Sequence, residues 1–164
     1  MLDKNVVTEK AFKMVGESFL SFNDNKADLF NIGLQLLEGL IEDVTVDVNL
    51  LFNAKKTKFN LNSEKDGLYY YNLPPDFMSF IKASDRKATL MGEFLISPAK
   101  DLEVTYCYSL PFSEFPNYMG RYMTLLVAKE LTSALTTYQA YKQIIDIELA
   151  KEKVKIYNSE GLIF

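Results

Sequence analysis

Carboxylates supply the first spacing with chemical content in this chain. Glu38 and Glu42 stand four residues apart, and so do Asp43 and Asp47; on a helix each pair would share one face. Such a set can hold a divalent cation or do acid–base work. It can equally be a solvated acidic face, or an acid-lined surface that repels passing DNA, and the solvated face is preferred to catalysis. Lys82, Arg86, Lys87 and Lys100 could meet phosphate. They fall in strand-connecting loops, with no Gly-rich cradle and no helix N-terminus, so a plain solvated loop is the preferred reading. Cys107 is the single thiol; it lies in an apolar strand pattern, where burial makes a thiol inert. Histidine is absent altogether, which removes the usual zinc sites, Ser-His-Asp triads and Cys-His dyads. No cofactor, no metal and no enzymatic activity are expected.

Aromatic residues form the second candidate set. In a strand, Tyr70 points opposite Tyr69 and Tyr71, while Tyr106 and Tyr108 share a face. Half of these rings should be core. Those on the other face suit protein–protein contact better than base stacking, because the basic groove that tracks a single strand is missing. The end of the given sequence, Leu162-Ile163-Phe164, is apolar after Gly161 and suggests docking, on this chain or on a neighbour.

The elements that must position these residues follow from periodicity. A chain of 164 residues with 48% hydrophobic and 24% charged content fits one folded domain. Its formal net charge of −4 and pI near 5.0 argue against a sequence-reading nucleic-acid binder. No run approaches ~18 apolar residues, so no membrane span is expected, and the N-terminus lacks a signal-peptide core. A first helix is predicted over Thr8–Phe22 with Thr8 as N-cap, broken by Asn23-Asp24-Asn25. A second starts near Asn25 and Asp28 and, without Gly or Pro after Gly39, is predicted to run to about Phe52. Five or six short strands follow between Lys55 and Ser109, forming one small antiparallel sheet or open barrel. Among them Lys58–Leu61 and Leu68–Tyr71 are joined by an Asp66-Gly67 hairpin signal, Phe77–Ala83 follows Pro74-Pro75, and Leu102–Tyr108 alternates most clearly. A linker over Pro111–Pro116 carries Phe112 and Phe115. Two long helices close the chain, Asn117–Tyr138 and about Ala140–Asn158. The fold class is therefore α+β: 1–54 helical, 55–110 β-rich, 111–164 helical, in a single domain.

That order of elements, with four short motifs, resembles the tail tubular protein A and head-to-tail connector (adaptor) family of short-tailed, double-stranded DNA phages. The motifs are Leu51-Phe52-Asn53, the corner Tyr71-Asn72-Leu73-Pro74-Pro75-Asp76-Phe77, then Val104-Thr105-Tyr106, and Phe115-Pro116 entering an Ala/Leu/Tyr-rich helix. Members usually carry a tryptophan near the end of the helical third, and this chain has none. The resemblance implies a virion protein, assembled in the host cytoplasm as a ring, typically of twelve copies. Such a ring sits under the portal, extends the DNA channel, docks the tail nozzle, and serves genome retention and ejection. It further implies portal docking by Leu162, Ile163 and Phe164, and a channel-facing role for Glu38, Glu42, Asp43 and Asp47. Tail-side or inter-subunit contacts would come from Tyr69, Tyr70, Tyr71, Phe77, Phe112 and Phe115, and DNA would pass without sequence-specific contact. The competing reading is an intracellular partner-binding adaptor domain, monomeric or dimeric. A metal-dependent hydrolase using Glu38 and Glu42 is the remote third.

Overall fold

Asp3 sets the start of the first helix, α1 (Lys4–Met14). Its carboxylate accepts hydrogen bonds from the backbone N–H groups of Asn5 (2.8 Å) and Val6 (3.1 Å), at the positive end of the helix. The predicted cap, Thr8, is instead a buried residue inside the helix. The computed structural model describes residues 1–15, 26–47, 50–134 and 142–159. Phe19, Phe22 and the Asn23-Asp24-Asn25 breaker lie outside them. So do Leu135, Tyr138, Tyr141, Gly161 and the apolar end Leu162-Ile163-Phe164.

The chain is α+β and divides into two units: Met1–Val44 with Leu110–Phe164, and Thr45–Ser109. In the first, α1 packs against α2 (Lys26–Val46) where Gly33 lets the helices approach. A Cβ at Gly33 would stand 2.7 Å from both Thr8 Cγ2 and Phe12 Cε2. Helix α3 (Met119–Ala134) follows a 3-10 turn over Phe112–Glu114 and buries Met119, Met123, Leu125 and Leu131. Helix α4 (Lys142–Ser159) runs back along it. Arg121 bonds Glu148 (2.8 Å) and Glu152 (3.3 Å), while Lys129 meets Asp146 (3.2 Å), which fixes the antiparallel pairing.

Helix α2 ends at Val46, not near Phe52. Two features stop it without Gly or Pro. Leu51 takes a left-handed backbone (φ 52°), and the Asn53 side chain donates to the Thr45 carbonyl (2.8 Å), one of the helix's last acceptors.

Among its described residues the second unit has seven strands in two antiparallel sheets, where one sheet was expected. In the first sheet β7 (Glu103–Tyr108) lies between β1 (Ala54–Lys58) and β4 (Phe77–Ala83). Ala54 is registered on Cys107 and Lys58 on Glu103; across the other edge Phe77 faces Tyr108 and Ala83 faces Val104. The second sheet has the order β2 (Leu61–Lys65), β3 (Leu68–Asn72), β6 (Phe94–Ser97) and β5 (Thr89–Met91). The predicted Lys58–Leu61 strand is thus two strands parted at Phe59-Asn60, because Phe59 turns inward to the core and β1 and β2 join different sheets. Asp66 (φ 53°) and Gly67 (φ 76°) both have positive φ, as the tight hairpin turn between β2 and β3 demands. Both sheets contribute to one core of Phe59, Tyr71, Leu95, Leu102, Val104 and Tyr106. The strands therefore make a core of their own, which the expectation of a single small sheet did not include. Among the described residues no helix is long and apolar enough to cross a membrane.

Candidate functional site

Three of the motifs noted in the sequence meet at one polar junction in the β-rich unit. The first is Asn53, fully buried. Its amide donates to the carbonyls of Thr45 (2.8 Å) and Tyr108 (2.7 Å), and its own backbone carbonyl accepts from the Tyr108 N–H (3.0 Å). The end of α2 and the end of β7 are thereby fastened through one side chain.

The second is the corner before β4. Pro74 and Pro75 cannot donate, so strand pairing stops there, and the Phe77 N–H closes the turn onto the Pro74 carbonyl (3.0 Å). Asp76 on that turn takes a hydrogen bond from the Tyr106 hydroxyl (3.0 Å) and an ion pair from Lys55, while its carbonyl accepts from the Ser109 N–H (2.8 Å). Tyr106 belongs to the third motif. Its ring is buried, stacks on Phe77 (5.4 Å between centroids, 27° between planes) and meets Phe59 edge-on (5.5 Å). The Lys55 ammonium also lies over the rings of Tyr106 (5.3 Å) and Tyr108 (4.8 Å).

Charge at the junction is self-consistent. The Lys55 hydrogen bond holds the Asp76 carboxyl below its ordinary range, with Tyr106 adding to it. Asp76 in turn holds the Lys55 ammonium above its own. Burial raises the Tyr106 phenol. Lys55 drew no notice in the sequence because a lysine in a Lys-Lys-Thr-Lys run reads as solvated edge. Only the pairing of β1 with β7 brings it to Asp76.

The predicted site residues separate on burial. Glu38, Glu42 and Asp43 are exposed on α2, and Glu38 pairs with Lys4 (3.1 Å). Asp47 lies past the end of the helix, so the expected shared face with Asp43 does not form. No group of three or more candidate metal ligands occurs among the described residues. Tyr71 is buried and donates its hydroxyl to the Ala99 carbonyl; Phe112 and Phe115 are buried too. These three are not surface contacts of this chain, because their rings are already packed within it. Phe77 is half-buried on Tyr106. Tyr69 and Tyr70 remain half-exposed, with Tyr70 edge-on to Phe94 (6.2 Å). The portal-docking set Leu162, Ile163 and Phe164 lies outside the described residues.

Cys107 is buried in β7, and burial raises its thiol above the ordinary value, the reverse of what a nucleophile needs. Lys82 lies within β4, registered on Thr105, and not in a loop as expected, while Arg86, Lys87 and Lys100 are in loops; all four are exposed. Asp85 organises the loop after β4, accepting from the Ser97 hydroxyl (2.6 Å) and the Lys87 N–H (3.0 Å). No protein-family model and no curated protein matches this chain.

Proposed function

We propose that the chain is the subunit of a structural ring, a head-to-tail connector of a short-tailed double-stranded DNA phage, and that it makes its contribution by assembly and not by catalysis. The observation that carries this reading is the junction. Of the segments that carry the family resemblance, Tyr71–Phe77 and Val104-Thr105-Tyr106 share the Asp76–Tyr106 hydrogen bond, and Leu51-Phe52-Asn53 is fastened through Asn53 to Tyr108, farther along the same strand β7. Motifs far apart in sequence thus converge on one strand, which supports reading them together.

Charge supports the same reading. Residues 1–44 hold eight acidic residues against four basic ones, and the rest of the chain is balanced, so the whole net charge of −4 resides in the N-terminal helical segment. A helical ring body of that sign would let DNA pass without adhesion, with Glu38 and Glu42 as the exposed acids for the channel wall. The partners in this reading are further copies of the chain, the portal protein and the tail nozzle, in the virion at the head–tail interface.

Native mass measurement tests it. The purified chain, alone and mixed with the portal protein of the same phage, is expected to give a closed ring in at least the mixture. A monomer under both conditions overturns the proposal.

A further inference from the structure

Helix α4 is apolar on two sides. Ile145, Leu149 and Ile156 are buried. On the opposite side Ile144, Ile147 and Val154 are 61%, 57% and 57% exposed. Ile147 and Val154 are one heptad apart, as are Ile144 and Lys151, so the outer side forms a continuous seam of coiled-coil spacing. An uncovered seam of this kind is costly in water and marks a contact surface.

A groove of complementary character lies between α2 and α3. Gln35, Leu36, Gly39 and Leu40 line it, with Asp43 and Glu130, and its volume is about 330 Å³. A Cβ built on Gly39 would meet nothing within 4 Å, so a partner side chain can descend to the backbone there. Ile32, 39% exposed and one heptad before Gly39, prolongs the apolar line. The groove carries acids, and Asp43 and Glu130 have no ion-pair partner among the described residues. The outer side of α4 carries Lys151 and Lys155, both exposed. Among the described residues Lys151 and Lys155 meet glutamates of their own helix (2.9 Å to Glu148, 3.0 Å to Glu152). Glu38, paired with Lys4, and Glu42 do not line the groove, so the proposed contact leaves both uncovered.

We propose that the outer side of α4 of one copy seats in the α2–α3 groove of the next. Ile147 and Val154 pack on Leu36, Gly39 and Leu40, and Lys151 meets Asp43 and Glu130. The seam and the groove are different patches of the same helical unit, so the contact is heterologous and propagates head to tail until it closes. This assignment rests on the ring reading and names the surfaces that build it.

Two variants at exposed positions test it. Ile147→Glu sets an acid against the acidic groove, and Gly39→Arg fills the groove with a bulky cation. Circular dichroism first verifies that each is folded; Ile144→Glu and Asp43→Lys replace either one that is not. Sedimentation velocity then follows wild type, each variant, and an equimolar mixture. Each variant alone is expected to self-associate at least tenfold more weakly than wild type. The mixture is expected to give dimers that grow no further, because one intact seam and one intact groove remain. Variants that assemble as wild type does, a mixture that stays monomeric, or a mixture that builds full-size rings would each overturn the docking assignment and leave the ring standing. A wild type that is monomeric both alone and with the portal protein overturns the ring itself.

Discussion

The two units solve the problem of stability differently. In the helical unit, apolar stripes meet helix against helix, and the polar ties (Arg121 to Glu148 and Glu152, Lys129 to Asp146) run from part-exposed cations at the edge of the packing, with Glu152 itself buried. In the β-rich unit the strands are short and three of them, β1, β2 and β5, have almost wholly exposed residues. That unit depends on a small aromatic core and on a few buried or half-buried polar bonds: Asn53 to two carbonyls, Tyr106 to Asp76, Tyr71 to Ala99. Charge divides in the same way. The β-rich residues 45–109 balance eight bases against eight acids, and the excess of acid falls in residues 1–44. A unit held by directional bonds fails at single atoms, whereas a unit held by packing fails with volume.

The largest effect should come from Asn53→Ala. Its loss strips the Thr45 and Tyr108 carbonyls of their side-chain donor, and each acceptor left bare in a buried or part-buried place costs roughly 1–3 kcal/mol, for a total of about 2–6 kcal/mol. Hydrogen exchange read by mass spectrometry should rise first in Ala54–Lys58 and Glu103–Tyr108, with α3 still protected. Uniform loss of protection across both units would show that the difference drawn between them is false.

Gly33→Ala is the matching change on the helical side. The added methyl meets Thr8 and Phe12 at 2.7 Å, where both are buried and have little room to yield. Overpacking of about 1–3 kcal/mol, offset by up to ~1 kcal/mol of helix propensity, leaves a net loss of about 1–2 kcal/mol by urea denaturation. A gain in stability would mean that α1 moves freely over α2. Exchange should here rise in α1 and α2 before the strands.

Tyr71→Phe comes next. It keeps the buried ring and removes only the bond to Ala99, so a loss of about 1 kcal/mol is expected, with exchange raised in β3 and β6. No change would show that the ring alone holds that corner of the core.

The smallest effect belongs to Asp76. Its folded carboxyl is held below the ordinary value of about 3.9. Its contribution is therefore full above pH ~4 and is lost as the pH falls through the folded value. Lys55, raised above about 10.4, keeps its share at low and neutral pH and loses it only as the pH climbs through that raised value. Both side chains are a third or more exposed (42% and 34%), so solvent screening limits the pair to less than ~1 kcal/mol. Asp76→Asn should lower stability slightly at pH 7 and flatten its fall as the pH drops below ~4. A variant that loses stability with acid as steeply as wild type would assign that slope to other carboxylates.

Much of the β-rich part was legible. Phe77–Ala83 is a strand with the predicted limits, and Asp66-Gly67 turns a hairpin. These succeed because turn chemistry and alternation are local. The start of α1 was misread because Thr8 and Asp3 are both good cap types, and the choice between them depends on which one the core of α1, α2 and α3 buries. Of the candidate contact residues, Tyr71, Phe112 and Phe115 were misplaced for a related reason. An aromatic side chain carries the same signal whether it fills its own core or another's.

Composition, period and turn residues by themselves determined the α+β class, the order of helices and strands, the inert setting of Cys107 and the acidic bias of the first third, since each depends on neighbours in the chain. Tertiary structure alone decided the rest: that seven strands part into two sheets around one core, that Lys55 reaches Asp76 and Tyr106, that Asn53 ends α2, and that α4 keeps a second apolar side uncovered. Those outcomes turn on groups far apart in sequence, and their energies exist only once burial has excluded water from the bonds that join them.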